Sequence, residues 1–526
     1  MSAIRERSTE IVVHGLALIA VALLWLRRIA DGSLREFYFI SDHLYVPSLI
    51  RDVVQQSGKL SDWHLTPSPY VWPDMFVYLA LRPFSASLEP VLYASGFVQF
   101  LLIALSAWLL VRSALPRFAV ARIAVALTLV AWVAIHNDRW VPVLAPLFVI
   151  SCHGGAVFAS LLTLAFCLRV CKSERHVWVA MAAMSLMAAA SDPLYVASCS
   201  LPLFALAGWS RWAGKQLTKR SSVSLERRCL WSGAWSLVGL GLVRVCNARS
   251  TRGYVQPRPW RMESAFTQLL NDALDISSFE YALLAAMFLL SLIAYLRPVQ
   301  SERGTAMQSL AVWQTMSVLC TVAASLLTGR YQGDGALRYF LVPITCGAVF
   351  TGMFVAVRIA DCGFHVSRIY LTAAVSILSL SVLALLLVSL QPLAHGQYAS
   401  NLRARGECVS AIAMRESVDT VLAEYWNAKP LMLFMPERRL TAVQMMPDLG
   451  APRWWINSRG WYRGQHRFGL VVTNNLDQSA IRERFGAPSR IEHCGELELY
   501  VLRGAARAQL SQSMERCFRE FLADAR

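Results

Sequence analysis

The stretch PVLYASGFVQFLLIALSAWLLV, residues 90–111, carries no charged side chain over its whole length. A helix of about 20 apolar residues is long enough to cross the hydrocarbon core of a membrane. The chain as a whole has the same character, because 56% of its 526 residues are hydrophobic and only 16% are charged. Soluble domains carry roughly 25% charged residues, so these proportions exclude a soluble globule, a coiled coil and a disordered chain. The apolar runs are continuous rather than alternating, which also excludes a transmembrane β-barrel.

Eleven apolar runs predict about eleven membrane-spanning helices. The first is interpreted as a retained helix rather than a signal peptide, because Arg27 and Arg28 follow it and no small-x-small cleavage site does. The predicted fold class is an all-α polytopic membrane bundle, residues 1–390, with a small C-terminal α/β domain, residues 391–526. The eleven runs are 11–26, 90–111, 120–135, 154–168, 177–190, 194–209, 229–245, 281–296, 306–327, 339–357 and 369–390.

Basic residues set the expected orientation. The net charge is +16, and with the N-terminus inside, eighteen Lys and Arg fall in the inner segments but only three in the short outer loops. Cytoplasmic loops of membrane proteins collect Lys and Arg. We therefore expect a bacterial inner-membrane protein with a cytoplasmic N-terminus and a periplasmic tail. The same distribution accounts for the charge without nucleic acid as a partner, and no nucleic-acid-binding motif occurs.

The tail is predicted to alternate helices and strands. Its three cysteines, Cys408, Cys494 and Cys517, allow one disulfide in the periplasm, and spacing does not select the pair. The chain contains no CxxC spacing, so no metal site is indicated, although a divalent metal stays open as a cofactor. The expected elements are a helix ending near 425–430, a strand over 431–436, the segment 439–446, a strand over 468–474, a helix over 477–486, a strand over 497–502 and a helix near 507–524.

The first candidate acid is Asp42, in FYFISDHLYVPSL just beyond the first span. It is either a solvated charge at the membrane boundary or a general base near the bilayer surface. The surrounding aromatic and apolar side chains would partly desolvate it and raise its basicity. His43 beside it could tune the acid or donate a hydrogen bond.

A second cluster lies in SDWHLTPSPYVWPDM, residues 61–75 of the long first outer segment, 27–89. Asp62, His64, Trp72 and Asp74 stand among prolines, and the segment is either a structural loop at the headgroup layer or part of a substrate cleft. Aromatic rings also stack on sugars. Asp74 is taken as a catalytic candidate and the other three as substrate-binding candidates.

Two short outer turns add further polar residues. One contains Asp138 and Arg139, and the other contains Asp192 before a proline, where it either caps a helix or joins a site. His153, in SCHGG at a helix edge, is interpreted as a packed histidine. Acids gathered at one face of a membrane bundle favour a functional role.

The basic counterpart is GRYQGDGALRYF, which contains Arg330, Tyr331 and Arg338. A guanidinium at a membrane face binds phosphate through two parallel hydrogen bonds. The alternative is plain anchoring at the headgroup layer.

This layout resembles the GT-C superfamily of integral-membrane glycosyltransferases. The resemblance rests on an acid, Asp42, just after the first span, on the large first outer segment 27–89, and on the outer domain 391–526. It implies transfer of a sugar from a polyprenyl-phosphate carrier to an extracytoplasmic acceptor, with Asp42 as general base and Arg330 or Arg338 holding the phosphate. Membrane lipids would be further partners.

Three other functions stay open. A transporter or flippase for lipid-linked sugars would place acids at mid-membrane, whereas here the charges gather at one face. A polysaccharide polymerase or ligase would carry its dominant loop late in the chain. A non-enzymatic envelope assembly protein would use the tail, with its aromatic and basic segment RWWINSRGWYRG, residues 453–464, to recruit partners.

Overall fold

A computed structural model gives the architecture, which is mostly helical. Asp138, Arg139 and the apolar run 369–390 lie outside the residues that it describes. The chain divides into two compact units, one formed by Met1–Arg28 and Pro67–Leu393, the other by Ile29–Thr66 and Ala394–Arg526. The described residues are 2–30, 35–116, 118–135, 145–168, 174–213, 219–246, 259–274, 279–296, 302–331, 334–361, 397–436 and 440–523.

The first unit, here called the helical unit, is built from long apolar helices. Ten of the eleven apolar runs coincide with helical segments, because a continuous apolar run satisfies its backbone hydrogen bonds only within itself. The helices are Ser2–Ala30, Leu88–Ala114, Ala119–Ile135, Gly154–Leu168, Glu174–Ser191, Leu201–Ala213, Lys219–Cys246, Pro259–Leu274, Phe279–Leu296, Glu302–Leu327 and Leu341–Asp361.

Length and hydropathy select five candidate membrane spans among the described helices. Shorter apolar helices occur at Ala119–Ala131, Gly154–Leu168 and Tyr281–Leu296. The structure thus gives a membrane-type bundle, while a total of eleven spans stays a prediction. The five candidates are Glu10–Ala30, Leu88–Ala114, Ser224–Cys246, Gly304–Leu327 and Ala336–Asp361.

Two buried serine hydroxyls in these helices are satisfied within their own helix. Ser95 and Ser160 each donate to the carbonyl four residues earlier, at 2.6 and 2.7 Å. Such bonds remove the cost of a polar group inside an apolar bundle. The helix Leu341–Asp361 is the most enclosed of the candidate spans, and its buried side chains run along most of its length.

The segment between the first two candidate spans contains short helical elements and no long helix among its described residues. Arg35–Tyr38 and Tyr45–Ile50 are helical, and Ile50 leads directly into one wider helical turn, Arg51–Gln55. These turns belong to the second unit, although the sequence suggested one membrane domain up to residue 390. Four short turns complete the segment: Leu60–Asp62, Val71–Met75, Phe76–Leu81 and Arg82–Phe84.

The second unit, here called the C-terminal unit, is a five-stranded sheet with flanking helices. The strand order is β2-β1-β3-β5-β4; β1 is parallel to β2 and β3, and β5 is antiparallel to β3 and β4. The central strands β1 and β3 are fully buried runs of Val, Leu and Ala, as expected for strands covered on both faces. The strands are β1 Thr420–Ala423, β2 Thr441–Gln444, β3 Leu470–Val472, β4 Arg490–Cys494 and β5 Leu497–Val501.

One predicted strand of the C-terminal unit is part of a helix. Residues 431–436, predicted as a strand, lie largely in the helix Tyr425–Phe434, which begins where the Glu424 carboxylate accepts a hydrogen bond from the Trp426 backbone N–H. A short apolar run does not distinguish a buried strand from a buried helix. The strands near 470 and 499 and the two following helices are confirmed. The helices are Gln397–Arg415, Tyr425–Phe434, Gln478–Phe485 and Gly504–Ala523, with a short turn at Arg459–Tyr462.

A disulfide joins two elements of this unit. Cys408, in the helix Gln397–Arg415, bonds to Cys494 at the end of β4, with Cα atoms 5.7 Å apart. Cys517 is buried and reduced. The pair that the sequence left open is therefore Cys408–Cys494.

Candidate functional site

A cavity of about 110 Å³ opens in the helical unit. It forms where the loop after Thr66 meets the starts of two helical segments and the end of the Gly304–Leu327 span. The cavity joins acidic, basic and hydroxyl side chains, and its size exceeds the roughly 30 Å³ that one water occupies. The lining residues are Ser68, His153, Asp192, Pro193, Leu194, Ser325, Thr328, Arg330 and Tyr339.

A histidine–carboxylate pair lies at the centre of this cavity. Nδ1 of His153 is 2.6 Å from Oδ2 of Asp192, and both side chains are almost fully buried. Because an ionised carboxylate can only accept, the proton in this contact belongs to Nδ1. The Tyr70 hydroxyl lies 3.5 Å from Nε2. This arrangement can orient an imidazole for proton transfer.

Asp192 caps a helical turn and also lines the cavity. Its Oδ1 accepts a hydrogen bond from the Leu194 backbone N–H at 3.0 Å, in the manner of a helix cap. The same oxygen accepts from the Ser68 hydroxyl at 3.1 Å. Capping leaves Oδ2 available for His153, so the capped turn also fixes the carboxylate in the cavity.

Asp74 lies beside the loop that presents His153. Its carboxylate is 1% exposed and accepts the Ser151 backbone N–H at 2.8 Å. Burial raises the pKa of Asp74 to about 7; the Asp192 carboxylate adds to this, while the Ser151 hydrogen bond and His153 oppose it. Gly155 makes the approach possible, because a Cβ there would lie 2.6 Å from the carboxylate oxygen Oδ2.

The loop itself holds an uncommon backbone. Ser151 and His153 have φ of 65° and 66°, in the left-handed region that non-glycine residues rarely occupy. The His153 carbonyl accepts the first hydrogen bond of the helix Gly154–Leu168, from the Ala156 N–H at 3.0 Å. Such conformations persist where surrounding contacts fix them, and here the Asp74 and Asp192 carboxylates supply those contacts.

The basic predicted residues divide between the cavity and its edge. Arg330 lines the cavity together with Tyr339, whose ring lies 5.7 Å from the His153 ring. The Arg338 guanidinium stacks over the Tyr339 ring at 5.4 Å. Tyr331 is buried and donates to Asp272 at 2.7 Å. One cavity thus brings a guanidinium, a histidine and a carboxylate together.

Trp72 contributes packing rather than a cavity wall. Its backbone N–H donates to the Ser191 hydroxyl at 2.9 Å, and its ring meets Phe76 and Phe158. No group of three or more His, Cys, Asp or Glu side chains converges as a metal site within the described residues. The cavity holds an imidazole that could transfer a proton and a guanidinium that could compensate negative charge.

Asp42, in the C-terminal unit, has a different environment. Its carboxylate is half-buried and accepts a hydrogen bond from the Tyr425 hydroxyl. The Ser41 hydroxyl donates to the Tyr425 carbonyl at 2.6 Å, and Lys429 Nζ donates to the Ser41 carbonyl at 3.2 Å. These bonds tie the Asp42 segment to the helix Tyr425–Phe434.

Lys429 is a fully buried cation at this position. Burial lowers the pKa of Lys429 to about 7, and the Asp42 charge opposes that shift while Arg453 adds to it. Nζ of Lys429 lies 4.6 Å from the Tyr425 ring centroid, and the Arg453 guanidinium lies 4.9 Å from the same centroid. Arg453 also donates to Glu424 at 2.5 Å. Two cations and two acids thus surround one phenol.

The other predicted residues of the C-terminal unit have satisfied local partners. His43 is buried, with Nδ1 2.5 Å from the Phe37 carbonyl oxygen. Asp62 accepts two parallel hydrogen bonds of 2.6 Å from Arg463. The His64 ring lies between Trp454 and Trp455, and burial lowers the pKa of His64. Asp62 and Asp74, which competed for the part of second acid, therefore belong to different units.

The sequence identified the candidate acids but not the side chains that contact them. His153 was taken as a packed residue, and neither Tyr70, Tyr425 nor Lys429 was considered. The pair of glycines after His153 was the available signal, since they allow close approach at a helix start. No protein-family model matches this chain, and no curated protein is similar to it.

Proposed function

We propose that the chain is a membrane glycosyltransferase that moves a sugar from a polyprenyl-phosphate carrier to an extracytoplasmic acceptor in a cell-envelope glycan, lipid or protein. One observation carries the proposal: the His153–Asp192 pair and Arg330 line a single cavity. A base and a phosphate-binding cation are the two groups that transfer from a phosphate-linked donor needs. The GT-C resemblance of the layout supports the same reaction class.

The reaction would follow from the positions of these groups. Nε2 of His153 takes the proton of an acceptor hydroxyl, while Nδ1–H keeps donating to the Asp192 carboxylate, whose negative charge stabilises the imidazolium that forms. The acceptor oxygen forms a bond to the anomeric carbon as the bond from that carbon to the phosphate oxygen breaks. The carrier phosphate leaves with the electron pair, and the Arg330 guanidinium compensates its charge.

Asp42 is the alternative base that the resemblance implies. Its carboxylate accepts a hydrogen bond from the Tyr425 hydroxyl, and Lys429 belongs to the same cluster. An ionised acid can accept a proton, but these partners also serve to hold the segment in place. His153 is preferred because it lines a cavity with a cation.

The proposed location is a bacterial inner membrane with the C-terminal unit in the periplasm. The Cys408–Cys494 disulfide supports an oxidising compartment for that unit. The excess of Lys and Arg in alternate loops supports the same orientation.

The test uses the full chain in lipid nanodiscs with radiolabelled polyprenyl-phosphate hexoses and pentoses, and follows release of polyprenyl phosphate. We expect His153→Gln and Asp192→Asn to slow release by about 10²–10⁴-fold, the usual range for general acid–base catalysis. His14→Gln is the matched control, because His14 lies in the first span and bonds its own helix at the Glu10 carbonyl.

Two outcomes would change the proposal. If Asp42→Asn abolishes release while His153→Gln retains it, the base is Asp42. If the wild type consumes none of the labelled carriers, the chain is not a transferase of this donor class.

A further inference from the structure

The surface helix Pro259–Leu274 exposes three large apolar side chains, and Glu263 and Thr267 lie on the same side of it. We propose that the helix Pro259–Leu274 lies along the membrane surface and inserts Trp260, Phe266 and Leu270 into the boundary between lipid headgroups and acyl chains. The partner is therefore a phospholipid monolayer. The inference concerns a contact surface outside the cavity.

The helix has two distinct faces. Ala265 is buried, and Leu269 packs against the core of the helical unit. Trp260 is 76% exposed, Phe266 is 56% exposed and Leu270 is 47% exposed. Phe266 and Leu270 are four residues apart and so share one side of the helix. A helix with one side on the protein and aromatic and aliphatic groups on another matches an interfacial helix.

Neighbouring spans place this helix at a membrane boundary. Only five steps of the chain separate Leu274 from Phe279, where the next apolar helix begins, so the two ends lie within about 18 Å. Tyr331, just after the Gly304–Leu327 span, donates to Asp272 at 2.7 Å and is also hydrogen-bonded to Tyr281. The helix is thus attached where two apolar helices end.

The charged residues of the helix Pro259–Leu274 indicate which interactions would hold it on lipid. Pro259–Leu274 contains one basic residue, Arg261, and two acidic residues, Glu263 and Asp272. Attraction to anionic lipid needs an excess of Lys and Arg, so this helix would bind through its apolar side chains. Aromatic and aliphatic insertion works with zwitterionic lipid.

Tyr331 links the helix Pro259–Leu274 to the cavity. Tyr331 follows Arg330, which lines the cavity, and it holds Asp272 of the helix. A lipid-seated helix would therefore keep the Arg330 edge of the cavity at the level of the headgroups. This last step rests on the proposed function, because it matters only if the substrate is carried by a lipid.

Photo-crosslinking tests the contact directly. A benzophenone amino acid replaces Phe266 or Leu270 in the full chain, which is placed in phosphatidylcholine nanodiscs and irradiated, and lipid adducts are measured by mass spectrometry. Gln268, an exposed residue on the opposite side of the helix from Phe266 and Leu270, is the matched control position. We expect at least fivefold more lipid adduct at 266 and 270 than at 268.

Two results would overturn the proposal. They are equal or greater lipid labelling at 268, and protein crosslinks in place of lipid adducts at 266 and 270. Adduct formation requires no catalysis, so this test can fail while the transferase proposal stands. A second readout separates them further: Phe266→Asp should reduce carrier turnover more than Phe266→Leu only if both proposals hold.

Discussion

Asp74 in the helical unit and Lys429 in the C-terminal unit are opposite charges subjected to the same physical effect. Both are fully buried, and burial disfavours whichever form is charged. The pKa of Asp74 therefore rises from 3.8 to about 7, and the pKa of Lys429 falls from 10.5 to about 7. The two side chains therefore have similar pKa values, one raised and the other lowered from its ordinary value.

The difference between them lies in their partners. Asp74 has one backbone donor, Ser151, and a repelling acid, Asp192. Lys429 has a carbonyl acceptor, an aromatic face and the attracting charge of Asp42. Stability of the helical unit should therefore fall as pH rises toward about 7, and stability of the C-terminal unit should rise above about pH 7, so the comparison predicts opposite responses in two adjoining pH windows.

The largest expected effect concerns Lys429, whose pKa departs further from its ordinary value than that of Asp74 does. A folded-state pKa below the unfolded one means that the unfolded chain binds more protons between about pH 7 and 10.5. Stability should therefore rise over that range, by at most about 1.4 kcal/mol per pH unit. Lys429→Met should lose this rise, as measured by amide hydrogen exchange of β1–β3 in the full chain.

Lys59→Met is the matched control, because Lys59 is exposed in the same unit. Its pH profile should follow the wild type. A rise between pH 7 and 10.5 that persists in Lys429→Met would show that another group causes it.

A slightly smaller effect of opposite sign is expected at Asp74. Its folded-state pKa lies above the unfolded one, so the unfolded chain releases its proton first between about pH 4 and 7. Stability of the helical unit should fall as pH rises through that window, again by at most about 1.4 kcal/mol per pH unit. Asp74→Asn should flatten this fall in hydrogen exchange of the Gly154–Leu168 helix.

Glu263→Gln provides the comparison for Asp74, since it makes the same chemical change at an exposed position of the helical unit. It should leave the fall intact. Identical pH profiles for Asp74→Asn and the wild type would contradict the assignment and remove one half of the comparison.

The smallest expected effect tests the packing that buries Asp74. A Cβ at Gly155 would lie 2.6 Å from Asp74 Oδ2 and 2.6 Å from Pro73 Cδ. Gly155→Ala should lower the free energy of unfolding by about 1–3 kcal/mol, the usual cost of overpacking. Denaturant unfolding of the purified protein measures it.

Gly208→Ala serves as the control, because nothing lies within 4 Å of its added Cβ. It should be neutral or stabilise by up to about 1 kcal/mol through helix propensity. Equal stability of the two alanine variants would mean that Asp74 moves away without cost.

Local patterns predicted a large part of the fold. The runs 154–168 and 281–296 coincide with the helices Gly154–Leu168 and Phe279–Leu296, since a long apolar run has few alternatives in a bundle. The segment 431–436 failed because its partners decide its structure: the Glu424 cap and the surrounding sheet favour a helix. Strand β4 was not predicted, because its exposed, charged sequence RIEHC lacks an apolar pattern.

The sequence identified several residues of the candidate site, but it did not identify the side chains that they contact. Asp192 and Arg330 were both expected on one face, and both line the cavity. His153 was set aside, because a lone histidine carries no signal for an acid 39 residues later in the chain. Asp42 was identified from its position after the first span, whereas Tyr425 belongs to a helix 383 residues away.

By itself the sequence determined the apolar helices, the charge asymmetry of the loops and the candidate acids, because each depends on neighbours along the chain. Only the tertiary structure decided the Cys408–Cys494 pair, the His153–Asp192 contact and the grouping of Ile29–Thr66 with Ala394–Arg526. The physical reason is separation: the bond from Lys429 to Ser41 spans 388 residues. Contacts of that range depend on how whole units pack, which no local pattern records.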